Sequence, residues 1–163
     1  HRYNAITPSV CNLRPSSRGH IQVKNKDPFA APKIQLNYLS TEEDLAVAVE
    51  SLKFTRRIMQ SNALSPFNPK ELKPGADIKT EASMRQAAGE LGTTIFHPVG
   101  TCKMGQDAMA VVNDRLAVHG VAHLRVADAS VMPTITSGNT NAPTVMIAEQ
   151  AAAFIKQAHR HQR

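Results

Sequence analysis

The chain has no tryptophan, and aromatic residues fill only 4% of its 163 positions. That scarcity bears on its positive charge, which reaches +6 at neutral pH and raises the question of a nucleic-acid partner. Proteins that grip single strands stack bases on aromatic rings, and here the lysines and arginines are scattered rather than gathered into a stripe. A solvated basic surface is the better reading. Cys11 and Cys102 stand alone with no C-x-x-C spacing, so they read as reduced, partly buried thiols rather than a disulfide or metal site. His119-x-x-x-His123 is half of a zinc spacing without a second pair, and His119-Gly120 reads as a turn. The eight glycines are dispersed and never form G-x-G-x-x-G, so the turn that cradles a dinucleotide pyrophosphate is missing. No apolar run approaches the roughly 20 residues of a membrane-spanning helix. His1-Arg2-Tyr3-Asn4 is not a signal peptide and includes no initiator methionine, so the chain is expected to be a fragment or processed product.

What is present suits a soluble domain. Hydrophobic residues at 42% and charged residues at 20% fall in the ordinary globular range, and the length allows one good core or two small lobes. His20 to Lys24 alternates Ile21 and Val23 inward with polar neighbours, and Asn25-Lys26-Asp27-Pro28 supplies a turn. Ile34, Leu36 and Tyr38 repeat the period of two. Ser40-Thr41-Glu42-Glu43 reads as a capping box between Ser40 and Glu43, opening a helix with Leu45, Ala48, Val49, Leu52 and Met59 on one face and an end near Ser61-Asn62. Ser65 to Ala76, with three prolines, is a loop or internal boundary. A second helix is expected from Thr80 to Glu90, stopped by Gly92. Short β-like runs follow at Ala110 to Val112 and Leu124 to Ala127, and an alanine-rich helix from Asn141 onward ends in the basic, exposed tail His159-Arg160-His161.

Three blocks in one order go further. Leu13-Arg14-Pro15-Ser16-Ser17-Arg18-Gly19 is followed by Asp27-Pro28 and Asn37-Tyr38-Leu39. His97-Pro98-Val99-Gly100-Thr101-Cys102-Lys103-Met104-Gly105 comes next. Leu124 to Pro133 precedes Gly138-Asn139-Thr140-Asn141-Ala142-Pro143-Thr144. Together they resemble the C-terminal region of the glucose-methanol-choline (GMC) family of FAD-dependent oxidoreductases, over nearly the whole chain and most weakly between Leu64 and Ala88. The resemblance implies a substrate side and the last flavin contacts, without the N-terminal unit that holds the FAD pyrophosphate.

By that resemblance His97 is the catalytic histidine. Taking the proton from an alcohol while hydride leaves for a flavin needs a base with a pKa near the working pH, which imidazole meets with little perturbation. Thr94-Ile95-Phe96 is β-like, so His97 is expected at a strand end, stiffened by Pro98. Asn141 stands where the family has His or Asn. It cannot be a base at neutral pH but offers donor and acceptor, which suits binding and orienting the substrate oxygen, and it also fits a helix N-cap. The helix start carries about half a positive charge, with free N–H groups expected on Ala142 and Thr144 and none on Pro143. Those three residues, with Asp128-Ala129 at the end of a β-run, are the implied FAD contacts. Asp128 alone would read as a turn or cap residue.

The expected fold is α+β: a substrate-binding-domain sheet with flanking helices, plus C-terminal elements of an FAD-binding domain whose main part is absent. Residues 1–104 would form the substrate-binding region with the His97 segment. Residues 105–163 would pack back on the flavin domain, with one structural unit also possible. The expected function is FAD-dependent oxidation of an alcohol CH–OH to an aldehyde or ketone. Its partners would be a small alcohol and the N-terminal FAD-binding part of the same protein, with no nucleic acid, metal or transmembrane segment. The alternative is a non-catalytic binding module using its basic surface on nucleic acid. Compartment and electron acceptor are open.

Overall fold

The computed structural model describes residues 4–160, so the residues His1, Arg2, Tyr3 and His161 noted above lie outside it. The described residues form a small α+β assembly of three helices and a two-stranded ribbon. They divide into two compact units, one of residues 4–19 and 35–95, the other of 20–34 and 96–160.

The first unit pairs helices α1 (Glu42–Met59) and α2 (Glu81–Leu91). Both helices fall where periodicity placed them, but the α1 cap is shifted. Thr41, not Ser40, is the N-cap, its Oγ1 accepting from Asp44 N at 3.3 Å. Ser40 spends its N–H on Ser17 Oγ at 3.0 Å. The reason is tertiary. Asp44, buried in the first turn, accepts from Asn12 Nδ2, Ser16 N and Ser17 N at 3.0, 3.0 and 2.8 Å. Burial pushes its carboxyl pKa up, but the combined hydrogen bonds from Ser17 and Ser16 outweigh that and hold it below the usual carboxylate value. The arm Asn12–Ser17 is thereby tied to the start of α1.

Around α2 the local signals act as read. Thr80 and Ser83 form a reciprocal capping box. Gly92 ends the helix, and a Cβ there would lie 2.5 Å from Ala88 O, so only glycine fits. The proline-bearing stretch expected as a loop contains a 3-10 turn, Ser65–Phe67. Arg56 of α1 ties it down: the guanidinium meets both Glu71 oxygens at 3.0 and 2.8 Å and donates to Ile78 O and Gly75 O.

The ribbon, of which residues 20–34 belong to the second unit, is shorter than the alternation suggested. Strands β1 (His20–Gln22) and β2 (Lys33–Gln35) pair over three residues each. The turn between them is held by Asn25 and Asp27, whose side-chain oxygens accept from Asp27 N and Phe29 N. Ile21, Val23, Ile34, Leu36 and Tyr38, expected inward, are exposed, Val23 to 86%. Positive φ at Asn37 (56°) and Leu39 (53°) breaks the extended backbone before a longer strand can form.

The core of this unit gathers Val112, Leu116, Val131, Met132, Ile147 and Ala151. The β-like runs near Val112 and Arg125 survive only as isolated bridges, Met104 with Val112, Val112 with Val118 and Ala117 with Arg125. Helix α3 (Asn141–Arg160) packs on the 3-10 turn Ala129–Val131. Its last residues, His159 and Arg160, are exposed as expected. Among the described residues no helix is long and apolar enough to cross a membrane.

Candidate functional site

Every residue singled out for chemistry falls in the second unit. The approach to His97 differs from expectation, because Thr94-Ile95-Phe96 is not a strand. Phe96 takes φ 62°, in the left-handed region that a bulky side chain seldom adopts. After this bend His97 is half-buried, and among the described residues its imidazole makes no hydrogen bond.

The segment following His97 is docked closely. Val99 and Met104 pack against the core. Cys102 N donates to Ser130 O at 3.0 Å and Met104 N to Val131 O at 2.8 Å. Gly100 has φ 86°, and a Cβ there would lie 3.5 Å from the carbonyl oxygens of Met132 and Pro133. The His97 block and the Asp128–Pro133 block thus lie side by side.

Asp128 caps the turn Ala129–Val131, its Oδ1 accepting from Ser130 N at 2.8 Å and from Ser130 Oγ. The cap function read for Asp128 alone is therefore real, and its carboxylate is engaged within its own turn. The other side of the turn supports α3, through Ile147 and Ala151 against Val131 and Met132. One short 3-10 turn is the common seat of the His97 segment and of the helix that begins at Asn141.

Two expectations at the start of α3 need correction. Asn141 is the first helical residue rather than the N-cap. The buried Thr140 precedes it, and its carbonyl accepts from Thr144 N at 3.0 Å and Thr144 Oγ1 at 2.6 Å. The Thr144 N–H is thus already used, whereas those of Asn141 and Ala142 have no partner among the described residues. Relieved of capping, the exposed Asn141 amide makes no side-chain hydrogen bond among the described residues. Pro143 and Thr144 are half-buried, Ala142 exposed.

Two residues escaped the sequence reading. Ser130 joins the Asp128 cap to the His97 segment, and its signal was the Asp-x-Ser spacing of a side-chain turn. Ser137 has φ 62° and a buried hydroxyl without a hydrogen-bond partner in the structure, which no local pattern announces. His119 Nε2 donates to Gly105 O, 3.0 Å away, and the residue lies in a turn as read. Among the described residues no cluster could hold a metal ion. Both cysteines are free, Cys102 half-buried as expected but Cys11 exposed, since the arm that carries it has no layer over it.

Comparison with known proteins gives the family and the fold. The C-terminal model of the GMC oxidoreductase family matches residues 15–148. An oxygen-dependent choline dehydrogenase of Pseudomonas savastanoi pv. phaseolicola is 47% identical over 147 residues, covering 90% of this chain and 26% of the relative. An FAD-dependent oxidoreductase from Chaetomium thermophilum superposes with a TM-score of 0.84 at 31% identity, over 91% of this chain and 26% of that one. Formate oxidase from Aspergillus oryzae RIB40, a structure concerned with FAD modification, gives 0.83 at 28% identity, over 93% and 27%. The chain spans about a quarter of the length of the relatives it matches.

Proposed function

Since the chain belongs to the GMC family of FAD-dependent oxidoreductases, we propose that it is the substrate-side, C-terminal part of an enzyme oxidising an alcohol CH–OH to an aldehyde or ketone. The supporting observation is the shared seat on Ala129–Val131, which gathers the His97 segment, the Asp128 cap and the start of α3 into one unit. The 47% identity to a choline dehydrogenase makes choline the first alcohol to test.

The residues present fit a flavin. The N–H groups of Asn141 and Ala142 are uncommitted at the positive end of a 20-residue helix, and the buried Ser137 hydroxyl nearby in sequence is without a partner. An anionic cofactor edge suits such donors. When bound, FAD supplies the acceptor for the hydride that leaves the carbinol carbon. An imidazole nitrogen of His97 takes the hydroxyl proton, and the Asn141 amide donates to the substrate oxygen and fixes its orientation as charge develops there. Asp128-Ala129 and Ala142-Pro143-Thr144 line the flavin: Ala142 donates its backbone N–H, Pro143 and Thr144 offer packing since Thr144 N is spent on Thr140 O, and the Asp128 carboxylate is engaged with Ser130. Residues 1–104 form the substrate side. Residues 105–163 pack back on an FAD-binding part of the same protein, the element that supplies the pyrophosphate site.

The test uses the complete flavin-loaded protein, mixed anaerobically with choline and then with primary and secondary alcohols. Bleaching of the oxidised flavin absorbance is expected with at least one of them. A flavin that stays oxidised with every alcohol, yet is reduced by dithionite, would overturn the proposal.

A further inference from the structure

We infer that Ser130 is a positioning residue, setting where His97 stands relative to Asn141. The inference rests on the function proposed above. Ser130 makes bonds in two directions: its N–H and hydroxyl go to Asp128 Oδ1, and its carbonyl accepts the Cys102 N–H of the His97 segment at 3.0 Å. The next residue, Val131, is completely buried, accepts from Met104 N at 2.8 Å and lies in the core with Ile147 and Ala151 of α3.

A displacement of this turn therefore moves the His97 segment and α3 at once. On one side Cys102 and Met104 follow their acceptors, and His97 follows through Gly100, whose backbone runs close to Met132 and Pro133. On the other side α3 follows through its packing, carrying Asn141 in its first turn. The Asp128–Ser130 side-chain bonds reinforce a turn whose own backbone bonds, Val131 N to Asp128 O at 3.3 Å and Met132 N to Ala129 O at 3.2 Å, are long. Removing the Ser130 hydroxyl loosens the seat without touching the base, the orienting amide or the apolar core.

Substrate groups held about 1 Å out of place can lose up to about 100-fold in rate while still binding. In the complete flavin-loaded protein, Ser130→Ala is expected to lower the rate of flavin reduction by about 10- to 100-fold. KM and flavin content should stay within about twofold, since a positioning residue acts on the reacting geometry and a structural one on everything together. Hydrogen exchange of the peptide spanning 99–105 should accelerate in the same variant, because the backbone carbonyls that accept from the Cys102 and Met104 amides are then held less firmly. Unchanged exchange in that peptide, a reduction rate within twofold of wild type, or a parallel collapse of rate, KM and flavin content would each overturn the inference. If wild type is reduced by no alcohol, the proposed function fails, while the exchange measurement still decides whether Ser130 fixes this segment.

Discussion

For a histidine to serve as a base, its ring must be open to the substrate and not consumed by internal hydrogen bonds. His97 meets that condition, half-buried with no hydrogen bond to its imidazole among the described residues, and Asn141 meets its counterpart by leaving the cap to Thr140. In the complete enzyme, His97→Ala should slow flavin reduction by roughly 10² to 10⁴ with a much smaller change in substrate affinity. Asn141→Ala should cost less, about 1.5–3 kcal/mol of barrier, because it removes an orienting donor to a charge-developing oxygen. The double variant should lose less than the sum, as both groups hold one hydroxyl. Stopped-flow reduction across pH separates the two roles: the pH dependence should vanish in His97→Ala and persist on a lower plateau in Asn141→Ala. A His97→Ala enzyme that keeps both rate and pH dependence would place the base elsewhere. The His97 segment was legible from its motif. Its surroundings were not, since the bend at Phe96 and the bonds to Ser130 and Val131 come from residues distant in sequence.

Among the elements, helices were legible and strands much less so, for a physical reason. The capping hydroxyls of Thr80 and Ser83 act within one turn, so α2 could be read locally. The start of α1 could be placed only to within a residue, because Asp44 answers to Ser16 and Ser17 far up the chain. Alternation at Ile21, Val23 and Ile34 announced faces to be covered, yet these side chains stand exposed. Asp44 also gives this unit a pH response. Its pKa is lowered in the folded protein, so its contribution is complete above the unfolded value of about 3.9 and is lost as pH falls through the folded value. Asp44→Asn should destabilise the protein by about 2 kcal/mol near pH 7, since charge-assisted bonds weaken and donors from the Asn12–Ser17 arm lose an acceptor. The gap between variant and wild type should narrow below about pH 4. Thermal unfolding at pH 7 and pH 3 checks this; a gap that is constant across that range would mean the carboxylate charge is not what ties the arm.

For the whole molecule, the cofactor question reduces to which contacts the chain can offer alone. The helix start at Asn141 offers two free N–H groups, but no G-x-G-x-x-G turn is present to take the pyrophosphate. Purified after incubation with excess FAD, the chain by itself should release far less than one flavin per molecule on denaturation. A stoichiometric yield would mean that these contacts suffice. The division into units has a further consequence, for synthesis and folding. Residues 20–34 belong with 96–163 although the first unit intervenes, so a chain emerging from its N-terminus makes this ribbon long before the body it joins. Throughout that interval Val23 and Phe29, still 86% and 95% exposed when folded, have nothing to rest against. The free outer edges of a two-stranded ribbon seed aggregation unless charge and proline interrupt them. Lys24, Lys26, Pro28, Pro32 and Lys33 stand at those places, guarding the nascent chain while its partner segment is being made.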